Sequence, residues 1–466
     1  MSDRFTADGY RPPPGPFAGW VYDKTLDRLV VAAHESPHVL GLAPPGSGKS
    51  RKWLAQSATL WPASAPALVS SSKDDVMQMV ASRRWGRAQL LDLRPIDAPP
   101  YPQDFERVCY DPTMLITTFA EAQAVAEALL SMASVGFGGA QARNGGDTAV
   151  WKNLAFAPLT CLLYAASPRV FGQGMRWVIE AAEEVSMPQN WPTTGQIGFD
   201  PSWVTAAVAC GDRLFETRTR GVLEMVDKQR DSVKITVTDA LTAWLRTAAF
   251  DANLPPFDPT FLDDGSTTLY VLSPADGAVA PQVTTLIDQL ISRQRVKVAQ
   301  WEEYPRLGMF LDELPNTPLP KILQYFAESR GLGVSICAAA HSTSQLDVIY
   351  GPLQGKAIRD VVPATLLMYG THEPELMAAA AFWGGKTTRS QQSYNHNSDD
   401  KTTSRQFGNA FEPEELSPRN PNQARLLVRG QPGTEVELMD WTEFVKYYDE
   451  LLALRRRQLA DAEAKA

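Results

Sequence analysis

The segment 43–50 reads Ala-Pro-Pro-Gly-Ser-Gly-Lys-Ser and follows an apolar run, which is the setting that a phosphate-binding loop requires. Gly46 and Gly48 let the backbone curl so that consecutive N–H groups can point at a β-phosphate. In such a loop the ammonium of Lys49 reaches the β- and γ-phosphates, and the hydroxyl of Ser50 holds Mg²⁺. The predicted ligands are therefore ATP and Mg²⁺. The residues predicted to contact the nucleotide are Pro45, Gly46, Ser47, Gly48, Lys49, Ser50 and Arg51.

Two adjacent carboxylates, Asp312 and Glu313, end a second apolar run that begins Met309-Phe310-Leu311. Asp312 is predicted to orient Mg²⁺ through its water shell, and Glu313 to activate the attacking water as a general base. Many strands end in acidic residues, so the phosphate loop is what favours this assignment. The two motifs lie 263 residues apart (312 − 49).

Arg330 and His341 flank the next apolar run, 334–340. Ligands bind at the carboxyl ends of strands in an open α/β sheet, so His341 is placed to contact the γ-phosphate. A packing role for His341 is equally compatible with the sequence. For Arg330 the residues alone leave three alternatives: it caps a helix, pairs with Glu328 or projects into the site of a neighbouring subunit.

Seven short apolar runs that end in small or polar residues predict buried parallel strands. Helical patterns lie between several of them, as in 281–300, where Leu286, Ile287, Leu290 and Ile291 mark one face. This alternation predicts an α/β fold with a mostly parallel sheet. The seven runs are 38–44, 65–72, 89–93, 267–274, 308–314, 334–340 and 364–370.

One long stretch interrupts the alternation, because it reads as mainly helical and is rich in Ala, Leu and Trp. We predict that it forms an all-α domain inserted into a nucleotide-binding domain. The polar segment 386–405 has almost nothing to bury and is expected to be a mobile loop. The predicted organisation is a proline-rich lead-in (1–34), the first part of the nucleotide-binding domain (35–104), the all-α domain (105–252), the second part of the nucleotide-binding domain (253–440) and a C-terminal helix (441–466).

The composition is that of a globular chain of two or three domains, with 466 residues, 44% hydrophobic and 21% charged residues. The net charge of −9 argues against a protein coated with nucleic acid, although a few cations lining a pore are compatible with it. The four cysteines share no metal-ligand spacing, so the sequence favours a reducing cytosol over a disulfide framework or a zinc site. No apolar run reaches the roughly 18 to 20 residues of a membrane helix, and we expect a cytoplasmic, soluble chain.

Taken together, these motifs resemble the type IV secretion coupling proteins of the TraG/TraD family, the hexameric ATPases of bacterial conjugation. The resemblance covers about residues 35–440. It implies a RecA-like P-loop fold and a homo-oligomer that forms a hexameric ring. The segments that carry it are APPGSGKS, VSSSKDDV (69–76), FLDELPN, ESRGLGVSI and HSTSQLDVIYG (341–351).

Position by position, the resemblance implies that Lys49 and Ser50 bind nucleotide and Mg²⁺, and that Asp312 and Glu313 are the metal and water residues. Arg330 falls where the family has an arginine that acts on the neighbouring subunit. His341 departs from the family, which typically has a glutamine there that senses the nucleotide. A second departure is the absence of the N-terminal membrane helices that most members carry.

The resemblance implies an ATP-driven protein that recruits DNA, single- or double-stranded, or a DNA–protein complex and feeds it to a type IV secretion channel. The expected partners are a relaxase or relaxosome, channel components and a separate membrane-anchor protein that recruits the chain to the inner face of the membrane. Two alternatives stay open: an FtsK/HerA-type DNA pump, and an adaptor that binds ATP but hydrolyses it weakly. The segments 69–76 and 341–351 favour the coupling protein over the pump, and His341 is the feature that favours the adaptor.

Overall fold

The computed structural model describes residues 15–94, 105–132, 146–245, 254–275, 277–300, 304–394 and 401–463. Within these residues the strands are β1 (Trp20–Asp23), β2 (Arg28–Val31), β3 (Val39–Leu42), β4 (Ala67–Ser71), β5 (Ala88–Asp92), β6 (Glu106–Arg107), β7 (Thr268–Leu272), β8 (Leu307–Leu311), β9 (Val334–Ala340), β10 (Ala364–Met368), β11 (Lys386–Tyr394), β12 (Lys401–Asn409), β13 (Gln423–Val428) and β14 (Thr434–Glu437).

The α-helices in the same part of the chain are α1 (Ala55–Leu60), α2 (Asp74–Ala81), α3 (Phe119–Met132), α4 (Gly146–Ala166), α5 (Gly174–Glu183), α6 (Trp203–Ala209), α7 (Arg213–Leu223), α8 (Asp227–Leu245), α9 (Ala280–Gln300), α10 (Ile322–Glu328), α11 (Ser344–Tyr350), α12 (Pro352–Val361), α13 (Pro374–Trp383) and α14 (Trp441–Glu463).

The centre of the molecule is a twelve-stranded sheet with the order β2-β1-β14-β13-β10-β3-β9-β8-β4-β7-β5-β6. All seven strands predicted from apolar runs are present, and the pairs among them are parallel. Strands β3, β4, β7, β8, β9 and β10 are buried along their whole length, because helices cover both faces of the sheet. The predicted α/β fold with a mostly parallel sheet is confirmed.

Helices α3 to α8 lie between β6 and β7 in the chain and pack around α4. Both α3 and α8 also contact α9, which covers the sheet, and Trp203 and Trp244 belong to the same buried cluster as the apolar residues of α9. The helical content expected for 105–252 is therefore present. The domain boundaries drawn from the sequence stay predictions.

Helix α4 differs from the expectation that no apolar stretch is long enough to span a membrane. The window Ala149–Ala166 has 18 residues and a mean hydropathy of 1.2, and Pro158 does not end the helix. It is the one such window among the described residues. More than half of it, 56%, is buried inside the protein, as in the core helix of a helical bundle.

The N-terminal lead-in also differs from its expectation. Residues 15–34 include the hairpin β1–β2, while residues 1–14 lie outside the described part of the chain. Trp20 of β1 packs against the rings of Phe444 and Tyr447 on α14, and β1 pairs with β14. The first and last parts of the described chain therefore close the same edge of the sheet.

The segment 386–405, expected to be a mobile loop, carries regular structure. Strands β11 and β12 form an antiparallel ribbon that is separate from the large sheet. Backbone hydrogen bonds in a ribbon need no buried side chain, and the Thr pairs at 387–388 and 402–403 favour the extended backbone. The absence of apolar residues therefore did not exclude strands.

Candidate functional site

The loop 43–50 connects the carboxyl end of β3 to a helix. Gly46 and Gly48 have φ angles of 75° and 91°, a region that residues with a Cβ rarely adopt. The helix begins with a π-turn at Lys49–Leu54 and continues into α1. The loop thus curls around a helix N-terminus, whose free N–H groups and dipole favour an anion.

Lys49 lies inside this loop and is almost fully buried, with 6% of its surface exposed. Its Nζ donates hydrogen bonds to the carbonyl oxygen of Ala43 at 2.8 Å and to Nδ1 of His341 at 2.7 Å. Burial lowers the pKa of Lys49, and the negative charges of Glu313 and Asp312 oppose that shift. The ammonium is therefore held by two uncharged acceptors, and a phosphate oxygen could take the place of either one.

Ser50 and Asp312 come together because β3 and β8 both flank β9 in the sheet, with their carboxyl ends at one edge. The Ser50 hydroxyl lies 3.1 Å from both carboxylate oxygens of Asp312, and Ser71 on β4 donates to Oδ2 at 3.2 Å. Burial raises the pKa of Asp312 to about 6, with Glu313 adding to the shift and the bond from Ser50 opposing it. A hydroxyl and a carboxylate at one point are oxygen ligands of the kind Mg²⁺ prefers.

Glu313 has a φ of 63°, which is uncommon for a residue other than glycine. Such backbone strain is concentrated at functional sites. The carboxylate accepts a hydrogen bond from the side-chain amide of Asn316. The turn directs the chain from Asp312 into the short 3₁₀ helix Leu314–Asn316.

Two further predicted residues are Arg51 and Arg330. The guanidinium of Arg51 donates to Asp440 at 2.9 Å in a half-exposed ion pair, so this side chain is engaged outside the loop. Arg330 belongs to the 3₁₀ helix Ser329–Leu332, and its side chain lies outside the described part of the structure. Its three alternative roles stay open.

Sequence reasoning missed three residues that shape this edge. The buried carboxylate of Glu373, beyond β10, accepts hydrogen bonds from the N–H and the hydroxyl of Thr343, at 2.7 and 2.6 Å. Thr371 donates to the carbonyl oxygen of Leu42 at 2.8 Å, and Ser71 binds Asp312 as described above. Each follows or ends a parallel strand, which is the signal that could have identified them.

The loop 43–50 contains an unpartnered polar group and open space where a phosphate could bind. The hydroxyl of Ser47 is buried without a hydrogen-bond partner among the described residues, and a Cβ built on Gly46 meets no atom within 4 Å. A buried polar atom normally has a partner, so this hydroxyl is free to bind a ligand oxygen. Together with the ammonium of Lys49, the residues present fit a phosphate group.

The sequence profile described as "Type IV secretory system Conjugative DNA transfer" matches residues 7–415. Among curated proteins, none has a significant sequence match. Solved structures of a bacterial conjugative coupling protein, TrwB, share the fold. The unbound form of TrwBdeltaN70 has a TM-score of 0.58 at 17% identity, covering 86% of this chain and 84% of that one.

Two further TrwB structures cover 87% of this chain and 86% of their own. TrwB in complex with the non-hydrolysable ATP analogue ADPNP has a TM-score of 0.54 at 18% identity. TrwB in complex with ADP and Mg²⁺ has a TM-score of 0.55 at 17% identity. At these identities the likeness shows the fold, the RecA-like P-loop fold expected from the resemblance.

Proposed function

The chain belongs to the type IV secretory system conjugative DNA transfer family, and we propose that it is an ATP-hydrolysing coupling protein that recruits DNA and feeds it to a secretion channel. The observation that carries the proposal is the meeting of Lys49, Ser50, Asp312 and Glu313 at one edge of the sheet. Motifs 263 residues apart in the chain lie together, which supports a single site for phosphoryl transfer.

Each side chain has a distinct role in this proposal. The curled loop and Lys49 bind the β- and γ-phosphates, and the Ser47 hydroxyl adds a donor. Ser50 and Asp312 would hold Mg²⁺, which when bound would neutralise charge that develops on the phosphates. Glu313 takes the proton of the water that attacks the γ-phosphorus, and ADP leaves. The complexes of TrwB with ADPNP and with ADP and Mg²⁺ support these ligands.

Hydrolysis is the step that separates the coupling protein from a weakly hydrolysing adaptor. Purified protein should release phosphate from ATP in a Mg²⁺-dependent manner. Lys49→Ala should weaken nucleotide binding, whereas Glu313→Gln should bind ATP and hardly turn over. Glu375→Gln makes the same chemical change at an exposed position and should behave as wild type. Phosphate release from wild type no faster than from Glu313→Gln would exclude the enzyme.

The partners belong to the proposal as well. We propose that the chain forms a homo-oligomeric ring, which light scattering would measure. The ring acts on DNA bound to a relaxase. It reaches the inner membrane from the cytoplasm through a membrane-anchor protein. We propose that this anchor contacts the proline-rich segment Arg11–Pro14 and the C-terminal helix at Arg455–Arg457. Residues 11–14 and the side chains of Arg455–Arg457 lie outside the described residues. A share of the chain should pellet with membranes when its secretion operon is present and stay soluble without it. A DNA pump of the FtsK/HerA type would show no such dependence.

A further inference from the structure

The ribbon β11–β12 is a structural feature that the nucleotide site does not use. Its strands pair from Lys386↔Asn409 to Tyr394↔Lys401. Neither strand pairs with the twelve-stranded sheet, as far as the described residues show. At about 3.4 Å per residue, the five pairs on one face span roughly 27 Å. The ribbon is therefore a long two-stranded element with its own two faces.

The ribbon begins at the end of the sheet where the parallel strands start, opposite to the end that carries the loop 43–50. Gly384, just before β11, packs closely on Pro432, since a Cβ built on it would lie 3.2 Å from that ring. Pro432 lies in the turn between β13 and β14, next to the end of β13 that pairs with the start of β10 (Ala364↔Val428). The loop 43–50 follows the carboxyl end of β3, which runs parallel to β10. Changes to the ribbon can thus be separated from changes to the site.

The strands of the ribbon contain only basic charged residues, and most of these lie on one face. Neither strand contains Asp or Glu, in a chain with 53 acidic residues. Residues directly opposite each other in an antiparallel pair share a face. The register therefore puts Lys386, Arg405 and Lys401 on one face, which we call the basic face. The other face has a single cation, Arg389, and it is paired with Glu412 and Glu415.

Two aromatic residues belong to the basic face. Phe407 is paired with Thr388, and Tyr394 is paired with Lys401. The ring of Phe407 is 69% exposed, although burying a ring of this size is strongly favourable. Along the face, cations recur about every 14 Å, with an aromatic residue between the first two cations and another at the end. A solvent-exposed ring on the same face as three basic residues is a combination that a packed core does not explain.

We propose that the basic face of the ribbon, formed by Lys386, Phe407, Arg405, Tyr394 and Lys401, binds single-stranded nucleic acid. The cations match the phosphates of a polyanion, and each aromatic ring offers a surface on which an unpaired base can stack. In a duplex the bases are already stacked on each other, so the rings favour a single strand. The inference rests on the proposed function, for which it identifies a contact with the transferred DNA.

The test measures binding of a fluorescent 20-nucleotide single strand and the matching duplex to full-length protein, over a range of salt. Lys386→Ala/Lys401→Ala/Arg405→Ala should weaken single-strand binding at least tenfold. It should also reduce the slope of log K against log salt by about 2, at ~0.7 per lost phosphate contact. The control Lys24→Ala/Lys356→Ala/Lys446→Ala removes the same charge at exposed positions elsewhere and should bind as wild type.

The aromatic contact has its own readout. Phe407→Ala should weaken single-strand binding about tenfold without changing the salt slope, and Phe407→Tyr should retain binding. Equal affinity and slope for the two triple variants, or no binding by wild type, would overturn the proposal. A loss confined to the duplex would exclude single strands as the ligand. ATP hydrolysis without DNA should be unchanged in every variant, so this assay reports separately on the proposed enzyme.

Discussion

The ammonium of Lys49 and Nδ1 of His341 lie 2.7 Å apart, although 292 positions separate the two residues in the chain. Because an ammonium only donates, Nδ1 must accept, and the imidazole in this pair is neutral. His341 therefore positions the ammonium of the phosphate loop through a bond in which the imidazole is the acceptor.

We predict that His341→Leu raises the KM for ATP severalfold. A leucine side chain fills part of the same space but cannot accept a hydrogen bond, so Lys49 loses a partner that positions its ammonium. In His341→Gln the amide oxygen can accept from Lys49, so the KM should stay near that of the wild type. Steady-state hydrolysis over a range of ATP concentrations checks this. Equal KM values for the two variants would assign His341 a packing role.

Arg330 should act on the site of a neighbouring subunit. Arginines supplied in this way raise phosphoryl-transfer rates by roughly 10³ to 10⁵. Arg330→Ala and Glu313→Gln should each be nearly inactive, and mixing the two should restore part of the turnover, because some interfaces then contain an intact pair. If a co-assembled mixture shows no recovery at any ratio, Arg330 acts within its own chain.

Asp312→Asn should stabilise the nucleotide-free protein near pH 7. Burial raises the pKa of Asp312 to about 6 in the folded chain, against about 4 when unfolded. The folded state therefore binds more protons between these values, and this group lowers stability as pH rises from about 4 to 6. We expect a gain of about 1 to 3 kcal/mol at pH 7 and almost none at pH 4. Thermal unfolding in EDTA measures it, with the exposed Asp360→Asn as control.

Glu373→Ala should destabilise the turn that follows β9. The change leaves the N–H and hydroxyl of Thr343 without their buried acceptor, at a cost of about 2 to 3 kcal/mol for bonds to a charged group. His341 lies two residues earlier, so the KM for ATP should change as well. Glu375→Ala, exposed on α13, provides the control. Wild-type values of both unfolding midpoint and KM in Glu373→Ala would contradict this role.

Gly41→Ala should lower stability by about 1 to 3 kcal/mol. Gly41 lies in β3, and a Cβ there would lie 2.1 Å from the ring of Trp53, which is fully buried. The ring must move, and with it the first turns of the helix after the phosphate loop. Gly221→Ala in α7 meets no atom within 4 Å and should be neutral or slightly stabilising. Equal denaturation midpoints for the two variants would show that Trp53 relocates freely.

The sequence predicted the strands that are buried on both faces, since a continuous apolar run such as 334–340 is a strong local signal. The hairpin β1–β2 was missed because its packing depends on partners more than 400 residues away, such as Tyr447. The ribbon was missed because its two strands contain few apolar residues, so their sequences give no local hydrophobic pattern.

The site was predictable where a local motif defines it, as at Lys49 and Ser50. Glu373 has no such motif: its importance comes from burial beside Thr343, which only the meeting of β9 and β10 with β3 produces. The 2.7 Å contact between Lys49 and His341 could not be predicted either. The sequence predicts where β9 ends, but it does not predict the side-chain rotamer of the histidine that follows.

Because β3 lies between β9 and β10 in the sheet, it is synthesised long before either of the strands that pair with it. Val39 pairs with Cys337, so its partner leaves the ribosome 298 residues later (337 − 39). At roughly 5 to 20 residues per second, β3 waits about 15 to 60 s for either neighbour. Throughout that time a fully apolar strand has free backbone groups on both edges. A nascent chain of this protein therefore exposes this strand for most of its translation, and slower translation lengthens its exposure to aggregation.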